Sequence, residues 1–288
     1  MCPKSQYLPF AKIARILNPA KRGHRYFVLL TFYADESFND NHCFCFGGWL
    51  AYDDAWRSIG SQWEKRFAYE RRKHGKLNRY HATDCNGGYK EYKNWTKPER
   101  DLHTKKLLKI ITRKKKEMLA ICFGLDRKAL REHLADGGDD LPTAYNLAVR
   151  KVMMKIYRAV HRQEGDRVTI IHSDAPGYNG VIREAFDTMM NDPAYVHYRK
   201  VFTTITPLAW QDCIQLQPAD LIAFEGFKLV DANLRTTTPK MRRSFQALVG
   251  KNVGVAVHYF GEPSIAKLGA IAKANRAKRS VAESTLKG

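Results

Sequence analysis

Acidic residues interrupt apolar sequence at three places in this chain. Asp35-Glu36 closes the run Phe27-Val28-Leu29-Leu30-Thr31-Phe32-Tyr33-Ala34, Asp174 closes Val168-Thr169-Ile170-Ile171-His172-Ser173, and Asp220 opens Leu221-Ile222-Ala223-Phe224. A carboxylate in such surroundings needs a partner, because an unpaired buried charge neutralises or is too costly to keep. Two parallel neighbouring strands ending at Asp35 and Asp174, about 4.8 Å apart, would bring both acids to the carboxyl edge of a sheet, where ligands of open α/β folds gather. Hard carboxylate oxygens suit Mg2+ or Mn2+, which keep several waters for reaction. Two such ions about 3.5–4 Å apart activate a water and stabilise the leaving oxygen of a phosphodiester. Without a cation the same acids repel one another.

Asp220 shares a helical stripe with Ala223, Phe224 and Phe227; an acid on that stripe is either a metal ligand or a partner of the helix dipole worth about 0.3–1 kcal/mol. Along the first strand Phe27, Leu29, Thr31, Tyr33 and Asp35 face one way. Glu36 then faces the other way unless the chain bends at Ser37. Glu36 is thus a fourth ligand or orients a water. Tyr80-His81-Ala82-Thr83-Asp84 is a second region, with His81 as a proton relay or phosphate contact and Asp84 as a further ligand, or else a loop with a structural histidine. His172 reads as a packed core histidine.

The carrier of these acids is basic: 49 Lys and Arg against 29 Asp and Glu give a formal charge of +20. That excess points to an anionic partner, DNA or RNA. Its contacts are expected from Arg113, Lys114, Lys115 and Lys116 and from the basic stretch Lys267 to Arg279. With 44% hydrophobic residues in 288 the chain can bury a substantial core. No apolar run approaches the roughly 20 residues that span a bilayer, and Met1 to Arg25 lacks the apolar stretch of a secretory signal. The expectation is a cytoplasmic protein without a membrane partner. The cysteines Cys2, Cys43, Cys45, Cys85, Cys122 and Cys213 form no CxxC and read mainly as small buried hydrophobes. Walker, GxGxxG, GxSxG and HExxH patterns do not occur.

The elements that must position the acids follow from periodicity and turn residues. Strands are expected over Phe27 to Asp35 and His42 to Tyr52, as an antiparallel hairpin with a turn at Ser37 to Asn41. Gly47-Gly48 signals a bulge or a close backbone approach. A helix runs from Asp53-Asp54 to about Arg72, a short strand over Leu77 to Thr83, and a helix from Pro98 to near Lys116. Met118 to Leu125 is a strand, Arg127 to Leu134 a short helix, and Pro142 to His161 a long one. Strand Arg167 to Asp174, a helix to about Met190, strand Arg199 to Ile205 and a helix beginning at Pro218 follow. An edge strand at Val253 to Phe260 and a basic helix at Ser264 to Arg279 complete one mixed α/β domain, 27–262. It is flanked by a basic N-terminal arm, 1–26, with a short helix at Phe10 to Leu17, and by a basic C-terminal helix or tail, 263–288.

Phe32-Tyr33-Ala34-Asp35-Glu36-Ser37, Phe46-Gly47-Gly48, Ile171-His172-Ser173-Asp174 and Gln217-Pro218-Ala219-Asp220-Leu221-Ile222-Ala223 together resemble the family known as domain of unknown function 3800. The resemblance covers about Phe27 to Phe260. It implies a ribonuclease H-like mixed sheet flanked by helices and a metal-dependent nuclease of bacteria or their mobile elements. It also implies Asp35, Asp174 and Asp220 as core acids, Glu36 beside them and His81 in the variable segment. Phe38 stands where that family usually has Gly. The resulting expectation is a Mg2+- or Mn2+-dependent phosphodiesterase. The rivals are a non-catalytic nucleic-acid-binding module on the same fold and a mobile-element strand-transfer enzyme using the same acids.

Overall fold

The computed structural model describes residues 29–39, 42–114, 116–134, 139–161, 166–235, 241–249 and 254–285. Six strands make one mixed sheet: β1 Leu29–Phe38, β2 Cys43–Tyr52, β3 Met118–Asp126, β4 Arg167–Ser173, β5 Phe202–Leu208 and β6 Gly254–Phe260. Their order across the sheet is β5-β4-β1-β2-β3-β6. β1, β2 and β3 are antiparallel in turn, whereas β4 runs parallel to β1, β5 to β4 and β6 to β3. The expected hairpin and the expected parallel pairing of β1 with β4 are both present.

Alternation along the strands builds two cores, one on each face. Leu30, Phe32 and Ala34 of β1, with Phe44, Phe46, Ile121 and Phe123, pack under α5 (Leu141–Val160) and α6 (Asn179–Asn191). Cys43, Cys45, Trp49, Ala120 and Cys122 pack against α1 (Asp53–His74) and α7 (Leu216–Arg235) on the other face. α7 lies across β1, β2 and β3 and is buried at every residue from Leu216 to Phe227, as a helix enclosed on all sides must be. Close approach makes this seat: a Cβ on Gly226 would stand 2.9 Å from Cys45 Sγ, and one on Gly47 2.5 Å from Cys122 Sγ. The β1–β2 register runs unbroken through Gly47 and Gly48, so this pair marks close approach and no bulge. All five described cysteines are buried free thiols, and Cys2 lies outside the described residues.

Three expectations need correction, and the expected C-terminal helix is present. β1 continues pairing through Ser37↔Cys45 and Phe38↔Phe44, so the chain does not turn at Ser37; Phe38 stacks on Phe44 with the Arg127 guanidinium over its ring. Leu77 to Thr83 is not a strand. Its alternate amides are satisfied by side chains in place of a ladder: Asn78 N donates to Glu91 Oε2 (2.8 Å), Tyr80 N to Gln217 Oε1 (2.8 Å) and Ala82 N to Asp220 Oδ2 (2.6 Å). The helix α2 (Ala82–Gly87) follows. Residues Pro193–Lys200 form 3-10 turns opened by the Asp192 side chain, which accepts from Ala194 N at 2.8 Å, and this delays β5 to Phe202. The C-terminal segment is a long helix whose start is docked, with Ile265 fully buried. The remaining helices α3 (Lys97–Thr112), α4 (Arg127–His133), α8 (Arg243–Val249) and α9 (Glu262–Thr285) complete the layers, α3 against α1 and α9 against α4. The arm 1–26, its helix at Phe10 to Leu17 and Lys115 lie outside the described residues. No helix among the described residues is long and apolar enough to cross a membrane.

Gly48 and Gly60 test the packing in opposite directions. A Cβ on Gly48 would meet the Tyr33 carbonyl oxygen at 2.0 Å, backbone that β1 pairing holds in place. Gly48→Ala is expected to lower stability by about 2–3 kcal/mol. A Cβ on Gly60 in α1 would meet nothing closer than Ile214 Cγ2 at 3.4 Å, so Gly60→Ala should be neutral or up to about 1 kcal/mol more stable. Urea unfolding of the two variants measures both.

Candidate functional site: an acidic cluster under a buried helix

β1 carries Asp35 and Glu36 just beyond its last parallel pair, Ala34↔His172. Strand alternation sends Asp35 to the α7 face with Tyr33, and Glu36 to the α5 face with Phe32 and Ala34. Asp35 Oδ1 accepts from Glu36 N at 2.9 Å, and the Ser173 hydroxyl at the end of β4 also donates to Asp35. The Tyr145 hydroxyl of α5 lies beside Glu36 and, with Asp35, works to hold its pKa down. Glu36 Oε2 is buried with no partner.

Asp220 arrives from the opposite wall. α7 starts at Leu216, two residues before Pro218, and its first turn contains no acid. Asp220 therefore does not complement the dipole of its own helix. Three tryptophan and backbone contacts fix this helix start. Gln217 Oε1 accepts from Trp63 Nε1 (3.0 Å) and from Tyr80 N, while the Pro218 carbonyl accepts from Trp49 Nε1 at 3.1 Å. Asp220 is buried, 6% exposed, and its one short contact is with Ala82 N.

The three carboxylates feel one another. Burial pushes Asp35 well above the ordinary carboxylate range, and the Glu36 charge adds to it. Burial raises Glu36 to about 7 against the pull of Tyr145, and Asp220 pushes in the same direction. Burial and then the Asp35 charge raise Asp220 to about 7, opposed by His81, Ala82 N and Arg79. Desolvation exceeds the available hydrogen bonds at all three.

The other predicted site residues are distributed differently. Asp174 is exposed, and Asn179 Nδ2 donates to its Oδ1 at 2.6 Å. The chain leaves β4 after Ser173, so Ser173 is the residue from this strand end that reaches Asp35. His81 lies beside Asp220 and 2.9 Å from Asp84 Oδ2, without hydrogen-bond alignment. Asp84 is also 3.1 Å from Lys90 Nζ, which makes it an ion-pair partner in this structure. His172 is buried, its Nδ1 2.8 Å from the Ser173 carbonyl oxygen, and burial lowers its pKa. Sequence reasoning passed over Arg79, Tyr145, Ser173 and Gln217 as contributors to the cluster. Ser173 and Gln217 stood inside the quoted motifs, and Arg79, which also lies over the Trp210 ring at 4.5 Å, is a cation two residues before His81.

The donor chemistry is all hard oxygen, with one orphaned buried atom, which suits a Mg2+-class cation. Among the described residues, however, no three His, Cys, Asp or Glu side chains are gathered closely enough to hold a metal as they stand. A separate groove of about 360 Å3 between α1 and α3 is lined by Gln62, Lys65, Arg66, Tyr69, Lys106, Lys109, Ile110 and Arg113. Arg113 is the member of the predicted basic cluster that lines it. Lys114 is paired with Glu117 at 3.1 Å, and Lys116 is exposed. In comparison with known proteins, no family model matches the chain and no curated protein matches it significantly. Fold and site define an α/β protein with a buried acidic cluster.

The raised acids have a pH consequence. Glu36 and Asp220 are raised to about 7 in the folded protein. The folded state thus binds more protons than the unfolded chain between about pH 4 and 7, and metal-free stability falls as pH rises through that window. Asp220→Asn keeps an acceptor for Ala82 N and removes the charge. Its metal-free stability should match or trail wild type near pH 4 and exceed it by about 2 kcal/mol or more near pH 8. Urea melts across pH test this; parallel profiles would contradict the coupling.

Proposed function

We propose that the protein is a divalent-metal-dependent phosphodiesterase that hydrolyses DNA or RNA on a ribonuclease H-like sheet. The observation that carries this reading is the mutual electrostatic coupling of Asp35, Glu36 and Asp220, with Glu36 Oε2 buried and unpartnered, inside a chain of charge +20. Further support comes from the antiparallel trio β1–β3 continuing into parallel β4 and β5. The motif resemblance to the domain of unknown function 3800 family points the same way.

Asp35, Glu36 and Asp220 would hold Mg2+ or Mn2+, and Asp174 at the exposed end of β4 is the further acid that the resemblance assigns. Bound there, the metal supplies an activated water and charge stabilisation for a leaving oxygen. The chain's own residues do the positioning. Ser173 and the Glu36 amide orient the Asp35 carboxylate, Tyr145 orients Glu36, and Ala82 N anchors one oxygen of Asp220. His81 and Arg79 place positive charge beside Asp220, where an incoming phosphate would be attracted and where His81 can pass a proton. The repulsion among Asp35, Glu36 and Asp220 is what a bound cation would relieve. The groove between α1 and α3, with cations on both walls and the half-exposed Tyr69 between them, suits a phosphate backbone with a stacked base.

Purified protein with Mn2+ and labelled single- and double-stranded DNA and RNA tests the reaction. Asp35→Asn is expected to reduce cleavage by more than the ~10–100-fold typical of an outer-shell residue. Undiminished cleavage by Asp35→Asn would remove the assignment. Joined products from a free 3′ hydroxyl would favour strand transfer, and binding without metal uptake the non-catalytic module. For the groove, Lys109→Gln with Arg113→Gln should flatten the slope of log affinity against log salt by about 1–2, since each lost phosphate contact removes close to one unit. An unchanged slope in fluorescence anisotropy would take the groove out of the interface.

A further inference from the structure

A second cationic centre lies where the α5 layer ends and the sheet's edge begins. Lys151, Lys155 and Arg158 recur at i, i+4 and i+7 along α5, which stacks them on one stripe. They face a recess of about 190 Å3 whose floor is Ile121–Phe123 of β3 and whose far wall is His258 and Phe260 of β6. Lys151 Nζ stands 5.0 Å from the centre of the Phe260 ring. Among the described residues no carboxylate lines the recess and none is paired with Lys151, Lys155, Arg158 or His258.

On other helices Lys97, Lys128, Arg183 and Arg235 each have an acid one helical turn away. Like charges a turn apart destabilise a helix, and the partial burial of Lys151 and Lys155, beside the exposed Arg158, makes the repulsion worse. Burial and the neighbouring cations lower the pKa of Lys151, Lys155 and His258 alike. A stripe that gathers such groups in a recess with apolar walls has the composition of a ligand site, a few polar groups in a mostly apolar concavity. Its volume is several times the ~30 Å3 share of one water and below the ~300 Å3 of a drug-sized pocket. The recess is also distinct from the acidic cluster, since Lys155 and Arg158 lie about 15–20 Å along α5 from Tyr145.

We propose that this recess binds a small phosphorylated molecule, its phosphates held by Lys151, Lys155 and Arg158 and its organic part set against Phe260 and Met154. Two or more negative charges are needed to match three cations, which favours a diphosphate over a carboxylate. The site stands independently of the nuclease reading, because it needs neither the acids nor a metal.

Inorganic pyrophosphate in EDTA buffer is the probe, so that no metal at the acidic cluster can contribute. Calorimetry on the full chain is expected to give saturable one-to-one binding, with a matching rise in melting temperature. Lys155→Gln with Arg158→Gln should weaken binding at least tenfold and abolish the thermal shift, while its own melting temperature without ligand stays level or rises as repulsion is relieved. Lys155→Met alone gives the same reading at smaller amplitude should the double variant fail to fold. Lys128→Gln, at an exposed lysine on α4, should bind as wild type does. No saturable binding to wild type at millimolar pyrophosphate, or equal weakening by Lys128→Gln, would overturn the proposal. So would an oligonucleotide that binds through Lys155 where pyrophosphate does not, which would make the recess a step on a nucleic-acid track.

Discussion

The architecture depends on bringing one helix flush against the middle of the sheet. α7 lies over β1, β2 and β3 with Gly226 above Cys45 and Cys122. Small residues are required on both sides of that contact, because interiors at crystal-like density leave no room for an added methyl. A helical stretch enclosed this fully should be apolar, and Leu216 to Phe227 is apolar apart from Gln217, Asp220 and Glu225. Gln217 Oε1 accepts from Trp63 Nε1 and Tyr80 N, which ties α1 and the segment before α2 to the helix start. Asp220 binds the same segment one residue pair later. The two side chains substitute for a neighbouring strand, so the polar residues in α7 hold an extended segment that has no ladder of its own.

The same placement makes the acids expensive. Hydrogen bonds from Ser173, Tyr145, the Glu36 amide and Ala82 N act on the three carboxylates, yet burial still outweighs them. The large positive charge of the chain gives little relief. Exposed lysines farther away than the ~8–10 Å screening length of physiological salt are mostly invisible to a buried group. Arg79 and His81 are near enough to offset Asp220 in part. The surface charge and the acidic cluster are therefore electrostatically separate; on the proposed reading the first would meet a polyanion and the second a hard cation.

Much of this frame was readable from local pattern. The β1–β2 hairpin, the parallel β1–β4 pair and the helix bearing Asp220 follow from runs of apolar residues and their bounding turns, and alternation put Glu36 on the face opposite Asp35. What failed depended on distant partners. Leu77 to Thr83 has strand-like composition, but its hydrogen bonds go to Glu91, Gln217 and Asp220, and the latter two belong to a helix over 130 residues away. Asp174 sits at the end of an apolar run just as Asp35 does, yet β1 continues as a strand after its acid while β4 stops before its own. Asn179 then takes the side chain. Tyr145 was invisible as a partner of Glu36 because the α5 helix pattern says which face is apolar and nothing about which strand end it covers.

A crystal structure of the protein grown with Mn2+, with data collected at the manganese absorption edge, addresses the central claim most directly. The account predicts an anomalous peak coordinated by oxygens of Asp35, Glu36 and Asp220, with Glu36 Oε2 no longer orphaned and the three carboxylates closer together than in the metal-free protein. A map with no peak at these residues under saturating Mn2+, and the carboxylates still held by Ser173, Tyr145 and Ala82 N as they are now, would contradict it.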